Sequence, residues 1–161
     1  MQHVKKGDLV CIENGGHYYN FLVLSGSVFF GCQWAYCFHS ITREISNLVE
    51  LLPGNGFLAL VDFIEERRNN SVIKVENKID TTPYFKEAKF KARIDNRNGG
   101  HQWYIYGPNF NILKKQDKLL TRQKKYPVAS GMKCRDAIKL IDKKWEVTQV
   151  VYEEGRGQFP F

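Results

Sequence analysis

The run Leu9-Val10-Cys11-Ile12-Glu13-Asn14-Gly15-Gly16-His17-Tyr18-Tyr19-Asn20-Phe21-Leu22-Val23-Leu24 decides how this chain folds. Residues 8–14 read as a first strand. Residues 17–25, rich in aromatic and branched side chains, read as a second. Between them Gly15-Gly16 supplies the positive φ values of a tight hairpin turn. Working outward, Gly26 is read as the next turn. Residues 28–39, with Phe29, Trp34, Tyr36 and Phe38, predict a long or bulged third strand bent at Gly31.

Beyond this hairpin the periodicity changes. Ile41, Ile45, Leu48, Val49 and Leu52 recur at helical steps, with Ser40 or Thr42 as cap and Pro53-Gly54 as stop, and predict a helix. Residues 57–64 are apolar on both faces and fit a buried central strand, with a short helix as the alternative. Residues 67–70 read as a polar turn, 72–75 as a short return strand and 77–84 as a loop broken at Pro83. Phe85 to Ile94, apolar among lysines, reads as an edge strand, and Asn98-Gly99-Gly100 as a turn. Residues 102–106 and 110–113 form a hairpin, with Trp103 and Ile105 on one face and Tyr104 and Tyr106 on the other. The strongest helix starts after Ser130-Gly131, where Cys134, Ile138, Ile141 and Trp145 line one side. Asp136 in its first turn and Lys143 and Lys144 in its last suit the helix dipole. Residues 147–152 read as a closing strand and 153–161 as a flexible tail.

These elements predict an α+β, β-rich single domain over residues 1–161. Its N-terminal part is a strongly bent antiparallel sheet or small barrel with one or two helices packed on it. A chain of 161 residues, 43% hydrophobic and 14% aromatic, has enough apolar mass for a core without staples. No apolar run reaches the ~18 residues of a membrane span. Asp8 and Glu13 interrupt any apolar region behind Lys5-Lys6, so no signal peptide and a cytoplasmic protein are expected.

Cys11, Cys32, Cys37 and Cys134 are read as buried thiols. Cys32, Cys37 and His39 lack zinc-knuckle spacing and no second ligand pair follows, so neither a metal nor a cofactor is expected. Charge is uneven. Residues 1–66 hold three Lys/Arg against seven Asp/Glu, a net of −4. Residues 67–145 hold twenty against seven, a net of +13, and residues 146–161 one against three. Such a basic stretch is a solvated face or an attractor of phosphate or acidic protein.

Motifs of catalysis are missing. There is no glycine-rich phosphate loop and no Gly-x-Ser-x-Gly elbow, so no catalytic residue is assigned. His101 beside Tyr104 or the lysines has two readings, a general base of a metal-free nuclease and a strand residue with a satisfied hydrogen bond. Trp103, Tyr104 and Tyr106 on a strand, with Lys114, Lys115 and Lys118 nearby, suit a stacking platform for nucleic acid within the basic region 67–145. The competing reading makes the same aromatics core residues.

The order of motifs is similar to a bacterial family, immunity family twenty-six of the polymorphic-toxin systems. The resemblance is carried by Lys6-Gly7-Asp8-Leu9-Val10 before a hairpin, Phe21-Leu22-Val23-Leu24, the apolar strand 57–64, the short strand 71–76 and Pro83-Tyr84-Phe85. Trp103-Tyr104-Ile105-Tyr106 and the helix over 133–144 follow in the expected order, so it spans roughly residues 6–145. Val72 and Ile73 stand where that family tends to have a tryptophan, and no family site is carried over. The resemblance implies an α+β fold, no catalysis and a cognate toxin, often a basic nuclease or deaminase domain, as the protein partner. A blocker of a basic enzyme needs carboxylates, which mimic phosphate and speed encounter. Glu44, Glu50, Asp62, Glu65 and Glu66 are the candidates, with Arg67 and Arg68 completing a mixed-charge tip.

Overall fold

The computed structural model describes residues 2–29, 31–46, 51–52, 54–85, 89–107, 112–126 and 131–144. The chain divides into two compact units, one of residues 1–86 and 131–146 and one of residues 87–130 and 147–161. Together they are an α+β structure made mostly of strands.

The first unit is a six-stranded sheet. The opening hairpin is β1 (Leu9–Asn14) and β2 (His17–Phe29), in register from Leu9 opposite Leu22 to Asn14 opposite His17. β3 (Cys32–Thr42) and β4 (Gly56–Asp62) continue it, and β5 (Val72–Glu76) pairs on the far side of β1. The strand order is β5-β1-β2-β3-β4-β9, where β9 (Gly131–Lys133) runs parallel to β4. No described pairing joins β5 to β9, so the sheet is open and the barrel alternative falls.

Burial explains the apolar runs. Residues 9–12 of β1 and 32–38 of β3 are buried at every position, so both faces of these strands are covered. The helix α3 (Cys134–Asp142) lies against β3 and β4 and buries Cys134, Ala137, Ile138, Leu140 and Ile141. Alternation and register put Ala35, Cys37 and Ala59 on one face, and these small side chains leave room for the helix. At the helix end the Tyr19 hydroxyl donates to Asp142 Oδ1 at 2.6 Å, fastening α3 to β2. On the other face Tyr36, Phe38 and Tyr84 meet edge to face at 5.1–5.7 Å. Gly56 is required where β4 begins. A Cβ there would sit 2.2 Å from the Cys37 carbonyl oxygen and 2.7 Å from the Tyr36 ring. The Gly7-Asp8 pair closes the start of the sheet. Gly7 N donates to Val23 O, and the buried Asp8 carboxylate accepts from Lys5 N and pairs with Lys74 at 3.2 Å.

Several local expectations change. Gly26 lies inside β2, where the pairing to β3 shifts register, and the chain turns at Gly31, whose φ is +81°. The helix expected over 41–52 is absent among the described residues. Ile41 and Thr42 are β-branched and extend β3 opposite Tyr19 and Tyr18. Ile45 and Leu52, placed on a buried face by their spacing, are 50% and 61% exposed. Residues 64–68 form a one-turn helix, α1 (Ile64–Arg68), and a second single turn, α2 (Thr82–Phe85), lies within the expected loop. Trp145, the closing strand over 147–152 and the tail over 153–161 lie outside the described residues. Among the described residues no helix is long and apolar enough to cross a membrane.

The second unit is a three-stranded antiparallel sheet in the order β6-β7-β8. Its strands are β6 (Phe90–Asp95), β7 (His101–Tyr106) and β8 (Ile112–Gln116). The β6–β7 turn falls at residues 96–100, with Gly99 at a φ of +84°. A 3-10 turn (Thr121–Lys125) follows β8. The fully buried Lys91 donates its ammonium to Lys124 O, and Gln123 Oε1 accepts from Gln116 Nε2 and Leu120 N. These bonds hold the turn against the sheet.

Candidate functional site

The carboxylates nominated from the sequence separate in space. Asp62 ends β4, and its Oδ1 accepts from Ile64 N at 2.8 Å, which turns the chain into α1. One helical turn then places Glu65, Glu66 and Arg68 beside it. A cleft of about 340 Å³ is lined by Asp62, Glu65, Glu66 and Arg68 together with Ile64, Asn69 and Lys133. Lys133 reaches this place because β9 sets it opposite Asp62 in register. Sequence reasoning missed Ile64, Asn69 and Lys133, and for Lys133 a three-residue parallel strand carries no periodicity to read.

Within the cleft Glu65 and Arg68 are exposed and Asp62 and Glu66 half-buried. Burial raises the Glu66 carboxyl above its ordinary value, and the neighbouring charges of Glu65 and Asp62 push the same way. The Arg135 guanidinium and a hydrogen bond to its own backbone oppose them. Glu66 Oε2 is inaccessible to solvent and has no hydrogen-bond partner among the described residues. The arrangement is a set of carboxylates held close against their mutual repulsion, and a cation placed among them relieves it.

The other nominated residues lie elsewhere. Arg67 donates from Nε to Gln2 O at 2.8 Å and ties down the N-terminal segment. Glu44 is exposed just beyond the end of β3, and the length of that strand separates it from Asp62, because β4 runs antiparallel to β3. Glu50 lies outside the described residues. The cysteines are all buried and unpaired with one another. Cys32 and Cys37, five residues apart on one strand, point to opposite faces. Burial raises every one of the four thiols, Cys11 to about 11. Among the described residues no three His, Cys, Asp or Glu side chains stand together in a way that holds a metal ion.

In the second unit the register sorts the nominated aromatic and basic residues onto two faces. Trp103 is 4% exposed and shares its face with Lys91, Ile105 and, by register, Lys114. The 3-10 turn covers this face, so Trp103 is core, and Trp103 and Lys114 leave the stacking set. On the opposite face Ala92, Tyr104 and Lys115 stand abreast. The Tyr104 and Tyr106 rings stack at 6.2 Å with an interplanar angle of 17°, and the Lys115 ammonium sits 5.3 Å from the Tyr104 ring centre. His101 borders a second, shallower cleft of about 230 Å³ with Trp103, Asp117, Lys118, Leu119 and Lys124. No hydrogen bond or ion pair joins His101 to Asp117 there.

Comparison of the chain with models of known families, with curated proteins and with solved structures finds no match.

Proposed function

We propose that this chain is an immunity-type binding protein that neutralises a cognate bacterial toxin domain by covering it, and that the cleft at the end of β4 receives the partner. The observation that carries this reading is the convergence of Asp62, Glu65 and Glu66 with Arg68 around one concavity. A basic nuclease or deaminase domain presents lysine and arginine side chains where its own substrate's phosphates bind. A carboxylate cluster takes those cations, and Arg68 and Lys133 in the same cleft penalise wrong partners. The half-buried Glu66 fits the role. Its carboxylate is costly in the free protein, and a partner's cation placed in the cleft beside it lowers that cost.

The test is calorimetric titration of the chain with the toxin-like domain encoded beside it. A 1:1 complex is expected, with an affinity that falls as salt is raised. Glu65→Lys combined with Glu66→Lys is expected to weaken it at least about tenfold, the order of one desolvated charge pair. Full affinity in that variant removes the cleft from the interface. Absence of any complex removes the immunity reading.

A further inference from the structure

The open face of the three-stranded sheet sets aromatic and basic side chains side by side. Its strand pairing sets Ala92, Tyr104 and Lys115 in one row and Ile94 and Gln102 in the next. Phe90, Tyr106 and Ile112 form the row at the other end, where Phe90 and Tyr106 are buried and Ile112 is exposed. The face therefore opens toward solvent along the sheet, and Ile94 at its open end is 44% exposed. Tyr104 is half-buried, and its ring stacks on that of Tyr106.

The stretch of chain that carries this face is strongly basic. Residues 87–130 hold ten Lys/Arg against three Asp/Glu, a net of +7, which equals the net charge of the whole chain. Lys89, Arg97, Lys114, Lys115, Lys118 and Arg122 are exposed. Against them, Asp95 and Asp117 are the exposed acids among the described residues of this unit, and Asp95 is already paired with Arg93 at 3.0 Å. A field of this sign selects a polyanion. A pair of stacked tyrosine rings, with the Lys115 ammonium over the Tyr104 ring, favours a polyanion that also carries planar rings.

We infer that the Tyr104–Tyr106–Lys115 face binds single-stranded nucleic acid, with a base stacked on Tyr104 and the adjoining phosphate on Lys115. Single strands meet the geometry because their bases are free to leave one another and lie on a ring, whereas a duplex offers its phosphates alone. The face is sequence-tolerant, since every base has a π face and the sheet offers Gln102 as the one side-chain amide in the open rows. This inference stands apart from the cleft of the first unit, which is acidic and belongs to different residues.

The experiment is fluorescence anisotropy of a labelled oligothymidylate about a dozen nucleotides long, titrated with the full chain at low salt. Binding is expected, and a duplex of equal length is expected to bind more weakly. Tyr104→Ala is expected to cost about tenfold in affinity and Tyr104→Phe little, because the phenyl ring still stacks. Lys115→Gln is expected to lower the slope of log affinity against log salt by about 0.7, the value for one phosphate contact on a single strand. Circular dichroism melts of each variant separate loss of binding from loss of fold, and Tyr104→Leu replaces Tyr104→Ala if the smaller residue destabilises the sheet. No anisotropy change at low salt overturns the inference. Equal binding of duplex and single strand, or undiminished binding by a folded Tyr104→Ala or Tyr104→Leu protein, also overturns it, since charge alone then accounts for the affinity.

Discussion

The two units spend their residues differently. Residues 1–86 and 131–146 carry thirteen basic side chains against twelve acidic, nearly balanced, and bury both faces of β1 and β3. Residues 87–130 carry ten against three, and their sheet buries one face while the other opens toward solvent from Tyr106 to Ile94. In the first unit a side chain's neighbours decide its identity, and substitutions act on stability. In the second, a face freed from packing is available for recognition, and substitutions there act on binding. The acidic cleft sits at a margin of the first unit, where β4 ends and packing no longer consumes the side chains.

The largest effect expected from this contrast is at Gly56. Gly56→Val drives a branched side chain into the Cys37 carbonyl and the Tyr36 ring, and neither has room to yield in a buried strand pair. We expect loss of the cooperative thermal transition. A melt within a few degrees of the parent breaks the account of how β3 and β4 meet.

Tyr19→Phe is expected to be milder, about 1 kcal/mol, because it removes the one hydrogen bond to Asp142 and keeps the ring. Its signature is in pH. Burial and the Asp142 carboxylate raise the Tyr19 phenol from 10.0 to about 12. Since the folded value lies above the unfolded one, the contribution is full below pH 10 and is lost as pH rises through about 12. Denaturant melts across that window are expected to show the parent losing its advantage over Tyr19→Phe. A constant difference means that the bond does not fasten α3.

The smallest effect belongs to the open face. Ile94→Thr, at a 44% exposed strand position, is expected to change stability by no more than about 0.5 kcal/mol. A loss of several times that, measured by the same melts, means that the face is covered, and the contrast between the units disappears.

Much of this was legible in the sequence, and the failures have a common cause. The hairpin of β1 and β2 was readable because Gly15-Gly16 and the flanking branched and aromatic residues are local signals. The helix α3 was readable because its apolar positions repeat at the helical period over nine residues. Among the described residues the helix expected over 41–52 starts instead as strand, because Ile41 and Thr42 satisfy a pairing that local spacing cannot reveal, and Leu48 and Val49 lie outside the described residues. Of the nominated carboxylates, Asp62, Glu65 and Glu66 meet because they are adjacent along the chain, whereas Glu44 needed a long-range contact that antiparallel pairing denies it. Trp103 and Tyr104 are indistinguishable as neighbouring aromatics, yet one is core and the other half-open.

What the chain determined by itself is whatever a short window encodes: the first hairpin, the period of the last helix, the mixed charge of residues 65–68 and the basic character of residues 67–145. Tertiary structure alone decided that β9 returns beside β4 and brings Lys133 to the acidic cleft, and which face of the small sheet its turn covers. The reason is physical. Turn chemistry and side-chain period act within a few residues, while strand partners and the covered face are chosen by packing between segments far apart in the chain.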